Sequence, residues 1–305
     1  MSKIEKALEK AAQMRNDAPP AVAAERVQSL NRIEKALEKA AQMRSDAPIA
    51  AVPEKQQSEE VPVIKRGESR TIHINTDNRL LATIADPNSI ISEQYRKLKT
   101  HLVRLTNEDR FRNLLMVTSA IAGEGKSMTA ANLAISMAQE YDLTVLLIDA
   151  DLRRPSIHSY LGFEQTIGLS DCLQDGTDIT EAIIKTDISK LSVISAGREV
   201  AKPLELFASN KMKELMAEIK NRYNDRYVII DTPPLLPFAE TRSLAQVADG
   251  IVLVIHEGVT PQVSVLEAME VLKGCKILGV VLNDSTAVNM ESSHYGRYYT
   301  RQAAS

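Results

Sequence analysis

Tryptophan is absent from this sequence, and four phenylalanines with eight tyrosines bring aromatic side chains to only 4% of its 305 residues. Aliphatic side chains must therefore fill any core, which an apolar fraction of 44% allows. Only two cysteines occur, Cys172 and Cys275, and they form no C-x-x-C or histidine-paired motif. They read as reduced, ordinary residues of a cytosolic protein. The histidines His73, His101, His158, His256 and His294 lack metal-ligand spacing and read as structural or surface residues. No apolar run approaches the roughly 18 residues needed to cross a bilayer, and no signal-peptide core opens the chain. Any membrane association would come through a partner or a surface helix. Charge of one sign is not in excess either: a net charge of −3 gives no general reason to expect nucleic-acid binding.

What is present is strongly organised along the chain. The segment Ile4 to Arg15, IEKALEKAAQMR, recurs identically from Ile33 to Arg44. Each copy follows a capping signal, Ser2-x-x-Glu5 or Asn31-x-x-Glu34, and stops near a proline, Pro19 or Pro48. Ile4, Ala7, Leu8 and Ala11 make a narrow apolar stripe at helical spacing. Helices of about three turns are marginal alone. They read either as solvated helices on a tether or as a docking element that orders on a partner. The expected organisation is a tandem helical repeat over 1–48, a Pro/Glu/Gln/Lys-rich linker over 49–75, an α/β domain over 76–290 and a flexible tail over 291–305. In the α/β part, aliphatic runs at Leu114–Thr118, Thr144–Ile148, Leu191–Ser195, Tyr227–Ile230, Gly250–Ile255 and Ile277–Leu282 alternate with helical stretches such as Lys211–Arg222 and Gln262–Lys273. That pattern predicts a mostly parallel sheet covered by helices on both faces, with its chemistry at the carboxyl ends of the strands.

The motifs fall at those ends. From Leu114 to Asn132 the chain reads LLMVTSAIAGEGKSMTAAN, a strand, a Gly-bearing turn and an Ala-rich helix. This is how a phosphate-binding loop is built: backbone N–H groups and a helix N-terminus face an anion, a lysine reaches the terminal phosphates and a hydroxyl holds Mg²⁺. The strict pattern G-x-x-x-x-G-K-[ST] is broken at its first position, which is Ala120. Gly123, Glu124, Gly125, Lys126, Ser127 and Met128 are the nucleotide-binding candidates. The segment TVLLIDADLRRP brings Asp149 and Asp151 to a strand end, and YVIIDTPP brings Asp231 to another. Such carboxylates suit Mg²⁺, and one of them suits the proton of an attacking hydroxyl. Arg153 and Arg154 are suited to transferred charge or to surface salt bridges.

Together the phosphate loop, the hhhDxDxR segment and the hhhDTPP segment resemble the bacterial tyrosine kinases of polysaccharide export, P-loop proteins unrelated in fold to eukaryotic protein kinases. The resemblance runs from about Leu80 to Asn283 and includes Gly168-Leu169-Ser170, Pro203-x-Glu205-Leu206 with Ser209, and Ala248-Asp249-Gly250. The IEKALEKA segment resembles standalone autokinases of exosortase-linked exopolysaccharide systems. The resemblance implies an ATP- and Mg²⁺-dependent P-loop tyrosine kinase fold over 76–290. It implies that Lys126 contacts the β- and γ-phosphates, that Ser127 with Asp149 or Asp231 ligates Mg²⁺, and that Asp149, Asp151 and Asp231 supply the metal and catalytic carboxylates. It places Asn283 at the adenine. It also implies that Glu93, Arg96 and Lys99, sharing one helix face at i, i+3, i+6, join subunits into a ring, with Lys99 standing where the family has arginine.

Tyr295, Tyr298 and Tyr299, clustered near the end, are then the acceptors of phosphorylation between subunits. The implied partners are a second copy of the chain, a membrane polysaccharide co-polymerase and a cognate phosphotyrosine phosphatase, with no nucleic acid. The implied location is the cytoplasm, at the membrane through a partner. Two alternatives stay open. One is an ATPase that partitions DNA or positions the division site, a class carrying a second loop lysine where Ile121 stands. The other is a non-catalytic adaptor that uses ATP to set its assembly state.

Overall fold

The computed structural model describes residues 71–107, 113–207, 209–222 and 225–286. The N-terminal repeat, the linker up to residue 70 and the tail tyrosines Tyr295, Tyr298 and Tyr299 lie outside the described residues.

Runs of Val, Ile and Leu pair edge to edge because strands buried on both faces need apolar side chains at every position. Eight strands result: β1 (Thr71–Ile72), β2 (Leu114–Ser119), β3 (Val145–Asp149), β4 (Ile183–Thr186), β5 (Leu191–Ile194), β6 (Tyr227–Asp231), β7 (Gly250–His256) and β8 (Ile277–Asn283). They form one sheet in the order β1-β4-β5-β3-β6-β2-β7-β8. Every pairing is parallel except β4 with β5. The register aligns Val117 of β2 and Asp149 of β3 with Asp231 of β6, so the motif-bearing strand ends lie side by side.

Successive residues of each strand feed opposite cores. Met116, Ile148, Ile230 and Leu253 point to one face, where Phe207 of α7 (Pro203–Phe207) and Met212, Met216 and Ile219 of α8 (Asn210–Arg222) cover them. Leu115, Leu147, Ile229 and Val252 point to the other, beneath α3 (Lys126–Ala138) and Leu102 of α2 (Ile90–Asn107). Helix α3 is buried along nearly its whole length, and its small alanines let it lie close to the sheet. The remaining helices are α1 (Ala82–Ala85), α4 (Ile157–Leu161), α5 (Leu169–Asp175), α6 (Ile179–Ala182), α9 (Ala239–Ala245) and α10 (Gln262–Val271).

Strands β2, β3, β5, β6, β7 and β8 and the two long helical stretches lie where the aliphatic periodicity places them. Two strands were not expected. β4 is four residues long with alternating exposure, and its antiparallel pairing continues from the turn at 187–190. β1 has two residues, too few for any periodicity, and it lies inside the stretch read as linker because β4 offers it an edge.

The chain before α2 is tied to α3 by a buried amide. Asn132 Oδ1 accepts from Thr83 N–H at 3.2 Å and from Thr83 Oγ1 at 3.0 Å. Its Nδ2 donates to Leu80 O at 2.8 Å and Met128 O at 3.0 Å. Asn132→Ala strands those buried partners and is expected to lower unfolding free energy by about 2–4 kcal/mol, measured by urea denaturation.

Candidate active site

The loop between β2 and α3 leaves the centre of the sheet and is held there by its backbone. Leu235 N–H donates to Ser119 O at 2.8 Å, and Leu236 N–H donates to Ala120 O at 3.1 Å. Ala120 is fully buried, packed in the same core as Ile148 and Leu235. Among the described residues Asp284 is the one non-glycine with positive φ, so Ala120 occupies a backbone that needs no glycine. That explains the departure from the strict motif. Gly123 and Gly125, both at φ 86°, do need glycine. A Cβ on Gly125 would also lie 2.1 Å from Asn283 Nδ2.

Glu124 does more than lend its backbone to the loop. Its side chain is buried, with Oε2 accepting from Ile121 N–H at 2.6 Å and Oε1 from the Thr260 hydroxyl. Its carbonyl accepts from Asn283 Nδ2 at 3.0 Å. The loop is thereby braced against the carboxyl ends of β7 and β8, and Asn283 sits at the loop's rim on that side.

Lys126 opens α3 with its ammonium among three carboxylates. Nζ donates to Asp151 Oδ2 at 2.7 Å and to Ser127 Oγ at 3.0 Å, and lies 3.7 Å from Asp231 Oδ1. Burial alone would lower the lysine pKa, but the charges of Asp231 and Asp151 raise it on balance, so the ammonium form is secured. Asp149 is committed to backbone. It accepts from Asp151 N–H at 3.1 Å and from Ser156 and Ile157 N–H at 3.0 Å each, which caps the start of α4. Burial and the charge of Asp231 push its carboxyl up, to about 8. Asp231 differs: both its oxygens are buried without a hydrogen bond. Burial pushes its carboxyl up to about 6 despite the Lys126 charge. Among the described residues no three His, Cys, Asp or Glu side chains gather as a metal-binding group.

Beyond Lys126 and Asp151 the surface opens into a cleft of about 270 Å³ walled by Arg154, Pro234, Pro237 and Phe238. Arg153 also lines this cleft, with its Nε already engaged. Its Nε donates to Glu240 Oε1 at 2.6 Å, and its guanidinium lies 4.5 Å from the Phe238 ring centroid. Phe238 and Glu240 went unnoticed in the sequence, although a phenylalanine just past DTPP in a chain with four was an available signal. Thr260 carried no signal of its own.

The remaining candidates lie on α2, away from the loop. Arg96 Nε pairs with Glu93 Oε2 at 2.7 Å, and both are partly exposed. Lys99 is buried and bound to Glu140 beyond the end of α3, so it faces inward and does not share the solvent-facing surface of the other two.

As a whole the arrangement can hold a polyphosphate chain at a helix N-terminus beside a lysine, with one carboxylate making no hydrogen bond and another facing a cleft. Three carboxylates share one lysine in this buried space, and two of them have raised pKa values. A carboxyl whose folded pKa is raised costs stability above that pKa and is relieved as pH falls below it. Asp231→Asn is therefore expected to raise stability at pH 8 by about 1–2 kcal/mol, with the advantage vanishing near pH 4, as followed by thermal melts across pH.

The family model of the AAA domain matches residues 114–271. Tyrosine-protein kinase YwqD of Bacillus subtilis is 40% identical over 225 residues, 73% of this chain and 92% of that protein. Putative tyrosine-protein kinase CapB of Staphylococcus aureus is 33% identical over 214 residues, 70% of this chain and 92% of that one. The crystal structure of the chimerical protein CapA2B2 superposes with a TM-score of 0.63 at 30% identity, covering 71% of this chain and 93% of that one. With the phosphate loop, the carboxylates and the sheet order in place, these similarities show that the chain belongs to the bacterial tyrosine-protein kinases, built on an AAA-type P-loop domain.

Proposed function

We infer that the protein is an ATP-dependent protein-tyrosine autokinase that phosphorylates Tyr295, Tyr298 or Tyr299 of a neighbouring copy and thereby regulates exopolysaccharide chain length and export. One observation carries the reading: the buried carboxylate of Asp231, which makes no hydrogen bond, beside Ser127 and Lys126 and next to an Asp151 that faces an open cleft.

Gly123, Glu124, Gly125, Ser127 and Met128 would hold the phosphates, largely through backbone N–H groups. Lys126 would leave Asp151 for the β- and γ-phosphates. An oxygen-rich site with an orphaned carboxylate and a hydroxyl fits Mg²⁺, held by Asp231 and Ser127, which supplies charge neutralisation at the transferring phosphoryl group. Asp149, whose oxygens already accept three N–H bonds, would shape the segment carrying Asp151 and stay outside the metal shell. The phenol oxygen attacks the γ-phosphorus and its proton passes to Asp151, while the bond to the β–γ bridging oxygen breaks and ADP departs. Positioning and electrostatics then account for most of the rate. Asn283 would meet the adenine at the opposite rim.

Between copies, Glu93 and Arg96 would make the contact, with Lys99 fixing α2 on α3 from beneath. Added phosphate charge on the tails would drive a ring towards separated subunits. The partners in this reading are a membrane polysaccharide co-polymerase, reached at the cytoplasmic face of the membrane, and a phosphotyrosine phosphatase. No nucleic acid takes part.

Purified protein incubated with labelled ATP and Mg²⁺, alone and with a co-polymerase's cytoplasmic segment, is expected to form phosphotyrosine. Lys126→Met should lower it by at least about 100-fold, and the triple substitution of Tyr295, Tyr298 and Tyr299 by Phe should remove it while leaving nucleotide binding intact. ATP hydrolysis without any phosphotyrosine would overturn the reading in favour of a partition-type ATPase.

A further inference from the structure

The strand order gives the site a direction. β8, with Asn283 at its end, lies on one side of the phosphate loop, while β6 and β3, with Asp231 and Asp151, lie on the other. A nucleotide laid along the loop with its base at Asn283 would end its phosphate chain facing the cleft beyond Lys126. That cleft has an unusual division of chemistry: the floor is Lys126 and Asp151, while one wall is Pro234, Pro237 and Phe238. The wall is also rigidly tied to the loop, because the two residues between Pro234 and Pro237 donate the N–H bonds that hold Ser119 and Ala120.

The geometry points to this cleft as the acceptor subsite, with Phe238 packing on the ring of a tyrosyl side chain and Arg153 as the residue that positions Phe238. The assignment rests on the kinase reading above. A planar apolar wall leading to a carboxylate suits a side chain that is apolar along its length and ends in a hydroxyl. A serine or threonine hydroxyl sits too close to its own backbone to use the wall and reach Asp151 together. Selection for tyrosine would thus follow from the apolar wall beside Asp151, with no hydrogen-bond code required.

Arg153 has the arrangement expected of a positioning residue. Its charge is matched by Glu240, which is 2% exposed, and its guanidinium carbon lies over the Phe238 ring, 4.5 Å from the centroid. Phe238 immediately precedes α9 and Glu240 lies in that helix's first turn, so one helix start fixes both the ring and the anion that holds its support.

The test compares wild type, Phe238→Ala, Arg153→Ala and Arg153→Lys. Each is assayed for ATP affinity, for KM and kcat towards an added tyrosine-containing peptide, and for binding of N-acetyl-tyrosinamide and N-acetyl-serinamide by NMR in the presence of a non-hydrolysable ATP analogue. Phe238→Ala is expected to raise the peptide KM by at least about fivefold with a much smaller change in kcat, to abolish tyrosinamide binding and to leave ATP affinity within about twofold. Arg153→Ala should give the same split more weakly, with Arg153→Lys restoring part of it. Wild type should bind the tyrosine compound and not the serine one. An unchanged peptide KM and unchanged tyrosinamide binding in folded Phe238→Ala would overturn the subsite while leaving the kinase reading intact. A wild type that makes no phosphotyrosine at all would overturn both.

Discussion

The Lys126 ammonium stands in a buried space with Asp149, Asp151 and Asp231, and one cation cannot satisfy three carboxylates. Asp151 takes the short ion pair. Asp149 spends its charge on backbone N–H groups at the start of α4. Asp231, at the end of the central strand β6, accepts no hydrogen bond and has only the longer 3.7 Å ion pair with Lys126. Burial raises the Asp149 and Asp231 carboxyls, the charges of Asp231 and Asp151 keep the lysine protonated, and the place suits a group that brings a divalent cation. Buried charge without full compensation is expensive.

The phosphate loop is positioned from two directions. On one side Glu124 and Asn283 bind it to the ends of β7 and β8; on the other the segment after DTPP binds it to the wall of the cleft. In the proposed reading, base, phosphates and acceptor would all be referred to a single stretch of backbone. Proximity effects in group transfer depend on errors well below an ångström, and direct hydrogen bonds between the parts keep those errors small.

Most of the framework could be read from the sequence because strands buried on both faces leave an unmistakable aliphatic record. The six aliphatic strands β2, β3, β5, β6, β7 and β8, the helix after Lys126 and the three aspartates at strand ends come from local pattern alone. What stayed hidden was set by pairing across the chain. β1 and β4 exist because an edge is available, and two or four residues carry no periodicity. The different duties of Asp149 and Asp231 depend on which backbone N–H groups reach them, which spacing does not encode. Lys99 shared a helical spacing with Glu93 and Arg96, yet Glu140 draws it inward, an outcome only packing decides. Phe238 and Glu240 belong to a contact with Arg153 spanning 87 residues, beyond any local motif.

The central claim is that Asp231 is the carboxylate kept ready for a cation. It is tested most directly by measuring ATP affinity with and without Mg²⁺ in wild type and in Asp231→Asn. The account predicts that Mg²⁺ tightens binding by at least about tenfold in wild type and has little effect in the variant. An equal Mg²⁺ enhancement in Asp231→Asn would contradict it.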